Sequence, residues 1–317
     1  MKRSRRQGAH VVEMQRRRLL SATTELVYER GVQGLTAALV AERAGMSRRT
    51  FHDIFSDREG CLLGAFDQAV DQASSIVGRA VAGSPMPAGG GRQEKWAGTI
   101  RTGLTALLCF LDEDPATGRL LVVEALSAGD RVLQARRRVL TQIVAIVDEG
   151  RAQARMGQGL PPLTAEGVVG AVLSVLHARM LERDPRPLVE LLGSLMAIVV
   201  HPYLGPAAAR RELDRPNTAP EQLAPKLPTD PFKDLPMRLT YRTARVLTTI
   251  AATPGASSKQ VADAAGITDV GQTSKLLNRL ARNGLIQDTG IGPTKGLPRA
   301  WTLTQRGQHI LHALGEG

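Results

Sequence analysis

Six stretches with apolar residues at helical spacing fill the middle of this chain, and breakers rather than strands separate them: Leu62 to Val81, Glu94 to Leu111, Gly118 to Leu126, Arg131 to Arg155, Thr164 to Leu181 and Pro187 to Val200. The breakers are explicit, namely Gly83 to Gly91, Asp112-Glu113-Asp114-Pro115, Pro161-Pro162 and Asp184-Pro185-Arg186-Pro187. Such a segment has no convincing strand and predicts a helical bundle. Its last two blocks, 164–181 and 187–200, are apolar most of the way round, with Val168, Val169, Val172, Leu173, Val175 and Leu176 on one and Leu188, Leu191, Leu192, Leu195, Met196, Ile198 and Val199 on the other. Helices of that kind need cover on more than one side. A second copy of the pair supplies it in a homodimer; the competing reading is a monomer's own core.

Charge divides the chain in another way. Of the net +11, residues Met1 to Arg58 hold 12 Lys/Arg against 6 Asp/Glu and residues Met237 to Gly317 hold 10 against 4, while the 178 residues between them hold 19 against 20. Two basic heads around a neutral body point to a polyanion, double-stranded DNA before a membrane surface. No apolar run reaches the roughly 20 residues of a spanning helix; Leu191 to Leu204 stops short and contains His201 and Pro202. The basic start runs into Arg16, Arg17 and Arg18 rather than an apolar stretch, unlike a signal peptide. Two cysteines, Cys61 and Cys109, make neither a disulfide framework nor a four-cysteine zinc site, so the expected location is the cytoplasm, at the nucleoid, with no metal and no cofactor.

An enzyme is not expected. There is no H-E-x-x-H, G-x-S-x-G or Walker lysine, and the six histidines are scattered. Gly290 to Gly296 superficially resembles a phosphate loop, but Pro293 and the absence of a following helix favour a wing.

In the first head, residues 15–30 read as an amphipathic helix ended by Gly31, Thr36 can cap a second helix, Gly45 supplies a tight turn, and Ser47 can cap a short third helix through Phe55. That layout is a helix-turn-helix, with Arg48, Arg49, Thr50 and His52 near the start of its recognition helix. The run from Leu19 through Ala65, with Glu29-Arg30-Gly31, Ala41-Glu42-Arg43-Ala44-Gly45-Met46-Ser47, Thr50-Phe51-His52-Asp53-Ile54-Phe55 and Ser56-Asp57-Arg58-Glu59, resembles the DNA-binding domain of TetR-family repressors. The resemblance implies homodimers that read a palindrome and helical bodies that bind a small inducer. It also implies phosphate contacts at Thr36, His52 and Arg58 and base reading around Ser47, Arg48, Arg49 and Thr50. The family commonly has Tyr where this chain has His52 and a polar or basic residue in place of Asp53, so Asp53 is expected to face away from DNA. Independently of the resemblance, an arginine fork bonds bidentately to guanine, which two adjacent arginines at a helix start are placed to attempt; a solvated charged face is the competing reading. Lys2, Arg3, Arg5 and Arg6 read as a flexible arm, either lying in a minor groove or along phosphates, or simply disordered.

Seven prolines between Pro206 and Pro236 predict an interdomain linker, or else a long ordered strap over the body. Beyond it, helices are expected over Tyr241 to Ala252, from Ser257 or Ser258 to Ala264, over Asp269 to Asn283 and from Thr304 to Leu314, with short strands at Leu285 to Gln287 and Ala300 to Leu303. This order resembles a winged helix-turn-helix of the MarR type, with Asn283-Gly284-Leu285-Ile286 and Leu303-Thr304-Gln305-Arg306-Gly307 as its signature. The resemblance implies DNA contacts from Gln272, Thr273, Lys275 and Arg279 on the third helix and Lys295 and Arg299 on the wing; winged helices also serve as protein-binding modules.

The expected architecture is therefore all-α with a small β-wing: a helix-turn-helix domain with its basic arm (1–58), a helical ligand-binding and dimerisation domain (59–205), a linker (206–236) and a winged helix-turn-helix (237–317). Trp96, Arg101, Cys109, Phe110, Glu124, His177 and Met180, the polar or bulky residues on otherwise aliphatic helices, are the candidate pocket for an unknown small-molecule effector; each also reads as an ordinary core or surface residue. The expected function is a transcription regulator, a repressor released by its effector. The alternatives are a constitutive DNA-bridging protein and a winged domain that binds protein.

Overall fold

The computed structural model describes residues 2–84, 91–153, 159–182, 186–216, 241–267, 269–289 and 300–313. Among the described residues, ten α-helices precede the proline-rich region: α1 (Lys2–Arg30), α2 (Ala37–Arg43), α3 (Arg48–Ile54), α4 (Arg58–Gly83), α5 (Arg92–Glu113), α6 (Pro115–Val122), α7 (Asp130–Asp148), α8 (Thr164–Met180), α9 (Leu192–Leu204) and α10 (Pro206–Asp214). After it come α11 (Tyr241–Ala252), β1 (Ala256–Ser257), α12 (Ser258–Ala264), α13 (Val270–Arg282), β2 (Ile286–Asp288), β3 (Ala300–Leu303) and α14 (Gln305–Ala313). None of the described helices is long and apolar enough to cross a membrane.

The chain divides into two compact units, and the division does not follow the chain. One unit holds Met1–Ala22, Ala38–Ile54 and Pro228–Gly317; the other holds Thr23–Ala37 and Phe55–Leu227.

The second unit is the helical body. Its core gathers Leu108 and Phe110 of α5, Val168, Val169 and Leu176 of α8, and Leu195, Met196, Val199 and Val200 of α9. Polar groups fix the ends of these helices where the sequence breaks. Asp114 caps α6 by accepting from the Thr117 N–H (3.2 Å) and the Thr117 hydroxyl (2.7 Å), with Pro115 in the first turn where its missing N–H costs nothing. Asp112 accepts the N–H groups of Leu188 (2.7 Å) and Val189 (3.1 Å), anchoring the 3-10 turn that leads into α9. One expectation changes here. The linker expected from Pro206 instead begins with α10, because Ala207-Ala208-Ala209-Arg210-Arg211-Glu212 is strong helix sequence behind an N-terminal proline and Ala208 and Ala209 bury into the core that includes α9. Helix α9 packs against α10, with Ser194 and His201 among its exposed residues. Residues 217–236 of the expected linker lie outside the described residues.

In the first unit, α1 starts at Lys2 rather than near residue 15, so the expected arm is helix. No proline interrupts residues 2–30, and Glu13 pairs with Arg17 at 3.2 Å, one turn apart, in the orientation that supports a helix. The C-terminal part of this unit has the expected order of helices and strands plus an unforeseen two-residue strand, β1. The antiparallel sheet runs β1-β3-β2, with Ala256 opposite Trp301 and Ile286 opposite Leu303. Ser257 and Gln260 form a reciprocal capping box on α12, and Asp269 caps α13 by accepting from the Gln272 N–H at 3.0 Å. Trp301 is buried in this core and donates its indole N–H to the Ser258 hydroxyl (2.9 Å).

The Leu303 to Gly307 signature has a local cause. Thr304 opens α14 by donating to the Gly284 carbonyl (2.5 Å) and accepting from the Gly307 N–H (3.1 Å), and a Cβ at Gly307 would collide with the Leu285 carbonyl. Replacing Gly307 by Ala is thus expected to destabilise the C-terminal region by about 1–3 kcal/mol; urea unfolding followed by Trp301 emission checks it, and an unchanged midpoint refutes it.

Candidate nucleic-acid interface

The short α3 owes its start to Ser47. The Ser47 hydroxyl accepts from the Thr50 N–H (3.0 Å) and pairs with the Thr50 hydroxyl (2.9 Å), while the turn before it closes through the Met46 N–H to the Ala41 carbonyl (2.7 Å). Phe51 is fully buried on this helix, with the His52 ring edge-on to it at 5.3 Å. That single anchor leaves Arg48, Arg49, His52 and Asp53 exposed and Thr50 half-buried. Helix start, exposed arginines and buried aromatic together form what a major-groove reader requires. Thr36 is exposed in front of α2. Arg58 is exposed yet committed: its guanidinium donates to the Leu35 carbonyl at 3.1 Å, bracing the connection into α2.

On α13, Lys275 and Arg279 are exposed, and Gln272 accepts from the Arg242 guanidinium at 2.7 Å. Thr273 is a correction. It is 1% exposed, shares the inner face of α13 with Leu277 and Leu280, and donates its hydroxyl to the Asp269 carbonyl (3.1 Å), so it packs rather than faces a ligand. Lys295 and Arg299 lie outside the described residues.

The seven candidate pocket residues differ in their surroundings. Arg101 is buried and pairs with Glu212 of α10. Phe110 is core. Cys109 is half-buried, and burial together with Asp112 and Glu113 pushes its thiol above the usual range, holding it as the neutral thiol. His177 and Met180 are half-buried on α8. Trp96 meets Tyr203 edge-on at 5.2 Å, and neither the indole N–H nor the phenol hydroxyl has a hydrogen-bond partner among the described residues, although both side chains are more than nine-tenths buried. Desolvation raises the Tyr203 pKa, so the phenol stays protonated.

Glu124 departs furthest from its expected role. It accepts from the Arg119 guanidinium (3.1 Å) on one oxygen and from the Val32 N–H (3.1 Å) on the other, beside Gly31, whose φ of 68° excludes most side chains. Glu124 therefore joins the α6 corner to the turn between α1 and α2. A second join lies at the start of α7, where Arg131 bonds to Asp57 (2.5 Å) and Glu59 (3.0 Å) and gives its backbone N–H to Glu59 (3.0 Å). Neither join has a local signature in sequence, since 92 and 72 residues separate the partners.

Residues 19–65 match the family model of bacterial regulatory proteins of the tetR family. No curated protein matches the chain. Among solved structures, the fatty acid degradation regulator FadR from Bacillus halodurans is 14% identical with a TM-score of 0.48, covering 58% of this chain and 96% of its own. The FadR of Bacillus subtilis, solved in complex with stearoyl-CoA, is 17% identical with a TM-score of 0.47 and the same coverage. A transcriptional regulator from Rhodococcus sp. Rha1 is 18% identical with a TM-score of 0.45, covering 59% of this chain and 96% of its own.

Two outcomes test the joins. Hydrogen bonds from the Gly60 N–H and Arg131 hold Asp57 below its ordinary 3.8, and the Arg131 N–H and guanidinium hold Glu59 below its ordinary 4.5. A depressed carboxylate pKa contributes stability above the ordinary value and loses it as pH falls through the folded one. Arg131→Ala should therefore melt earlier than wild type at neutral pH, with the two melting curves converging in acid; a pH-independent gap refutes the linkage. Glu124→Ala should accelerate amide exchange at Val32, whereas Glu124→Gln, which keeps an acceptor, should largely preserve protection; equal exchange in both rejects the bond.

Proposed function

We propose that this chain is a DNA-binding transcriptional regulator, acting as a repressor that pairs as a homodimer on a palindromic operator and releases it when a small molecule binds the helical body. The observation that carries the reading is the Ser47-capped α3, with Arg48 and Arg49 exposed at its start, inside the 19–65 segment that matches the tetR family. In this reading Ser47, Arg48, Arg49 and Thr50 meet base edges, Thr36 and His52 meet phosphates, and Arg58 acts mainly by holding the Leu35 connection.

Dimerisation is assigned mainly to α8. Its exposed side carries Gly167, Gly170, Ala171, Ser174 and Ala178, small residues that let a second helix approach closely, and Leu181 is half exposed at its end. For the effector, the unpartnered Trp96 indole and Tyr203 hydroxyl are the groups in the body that an acceptor atom of a ligand would satisfy. The Glu124 and Arg131 joins supply a mechanical route. They hold the segments immediately before α2 and immediately after α3 to the α6–α7 corner, so a ligand that prefers one arrangement of that corner shifts the population of recognition-helix positions. Ligand and DNA then oppose each other reciprocally. The C-terminal region serves in this reading as a second, winged helix-turn-helix DNA-binding head through Lys275 and Arg279.

Selection of genomic fragments by the full-length protein tests the function. A palindromic motif is expected, and replacing Arg48 and Arg49 by Ala should weaken its binding by roughly 1–3 kcal/mol for each arginine–guanine pair removed while the dimer persists. Enrichment of no motif, or operator affinity unchanged in the double variant, overturns the assignment.

A further inference from the structure

The core of the C-terminal region is not made by that region alone. Met14, on α1 and 2% exposed, belongs to the same buried cluster as Val246, Leu247, Ile250, Trp301 and Leu311. Arg18, one helical turn further along α1, is buried as well. More than 220 residues separate Met14 from these partners in sequence.

Charge follows this packing rather than chain position. The compact unit made of Met1–Ala22, Ala38–Ile54 and Pro228–Gly317 carries 21 Lys/Arg against 9 Asp/Glu, a net of +12, whereas the other unit carries 20 against 21, a net of −1. The positive excess of the protein thus lies in the unit that also contains α3, α13 and the basic start of α1. A charge of that size gathered in one body costs self-repulsion unless a polyanion offsets it.

We propose that α1, through Met14, docks the C-terminal domain so that both helix-turn-helix modules of one chain form a single DNA-binding body that engages one continuous duplex segment. This rests on the reading that α3 binds DNA, and it excludes the arrangement in which the two heads of a chain hold separate segments. Met14 acts as a core residue shared between the modules, and Lys275 and Arg279 extend the interface beyond the half-site read by α3.

The test uses the full chain and a selected operator. Hydroxyl-radical footprinting of wild type should give one uninterrupted protected tract per protomer. Replacing Lys275 and Arg279 by Ala, both exposed, should trim that tract at its flank, lower affinity about tenfold and reduce the salt slope by about 2, near 0.9 per phosphate neutralised. Met14→Asp should produce the same trimmed footprint and accelerate amide exchange at Val246 and Leu247 without DNA present, whereas Met14→Leu should match wild type. A footprint unaltered by the Lys275/Arg279 double variant, or wild-type protein bridging two duplexes in a tethered-particle assay, overturns the proposal, as does unchanged amide exchange in Met14→Asp. If the Arg48/Arg49 variant also binds normally, the broader DNA-reading assignment of α3 fails; if that variant loses binding while the Lys275/Arg279 variant keeps the full footprint, only the composite body fails.

Discussion

A carboxylate removed from water must be met by donors, and Glu124 at the α6 corner is met by two that come from different parts of the chain. Arg119, on the same corner, neutralises it. Val32 reaches it from a turn that Gly31 makes with a positive φ, a backbone conformation that side-chain-bearing residues rarely adopt. The turn that ends α1 is therefore shaped around a residue of the body. Arg131 does the reciprocal work at the start of α4, where Asp57 caps the helix and shares its carboxylate with the arginine. Both chain connections that lead to α2 and α3 are thereby fixed to one corner, and a change at that corner reaches them without passing through the aliphatic core.

The rest of the body's polar chemistry is spent on holding helices. Arg101 is taken by Glu212, Asp112 by two backbone N–H groups, and Asp114 by Thr117. Burial raises the Asp112 pKa while those two N–H bonds pull it back, the balance expected of a carboxylate serving as a cap inside a partly buried loop. Against that background the Trp96 and Tyr203 donors stand out, because a buried donor left unpaired costs about 1–3 kcal/mol. Their side-by-side placement between α5 and α9 concentrates the unmet hydrogen-bonding capacity of the described body core in one place.

Local sequence carried most of the helices and very little of the joins. Caps such as Ser47, Ser257 and Asp269 announce themselves because the bond they make reaches three residues along the chain, and the Thr304-Gly307 pair does so for the same reason. Helical periodicity found the body, yet it placed α1 too late, since residues 2–14 lack an apolar stripe of their own and Met14 belongs to a core whose other members lie far along the chain. Proline density misread the start of the expected linker, because Pro206 at the first turn of a helix is favourable. Thr273 read as a DNA contact because a threonine near a recognition-helix start suits one; only packing shows that it lies inward.

The pocket residues were the least legible for a physical reason. A polar residue on an apolar helix signals that something meets it, and sequence cannot distinguish a ligand from Glu212 or from the Val32 N–H. Charge suffered the converse ambiguity: counting along the chain found two basic ends, but electrostatic interaction depends on distance in space, which screening limits to about 10 Å. Grouped by compact unit, the positive excess belongs to one body and the helical body is left nearly neutral. Under the proposed function, affinity for DNA would fall steeply with salt, whereas binding of an uncharged effector in the nearly neutral body would respond to it far less, so the two could be tuned separately.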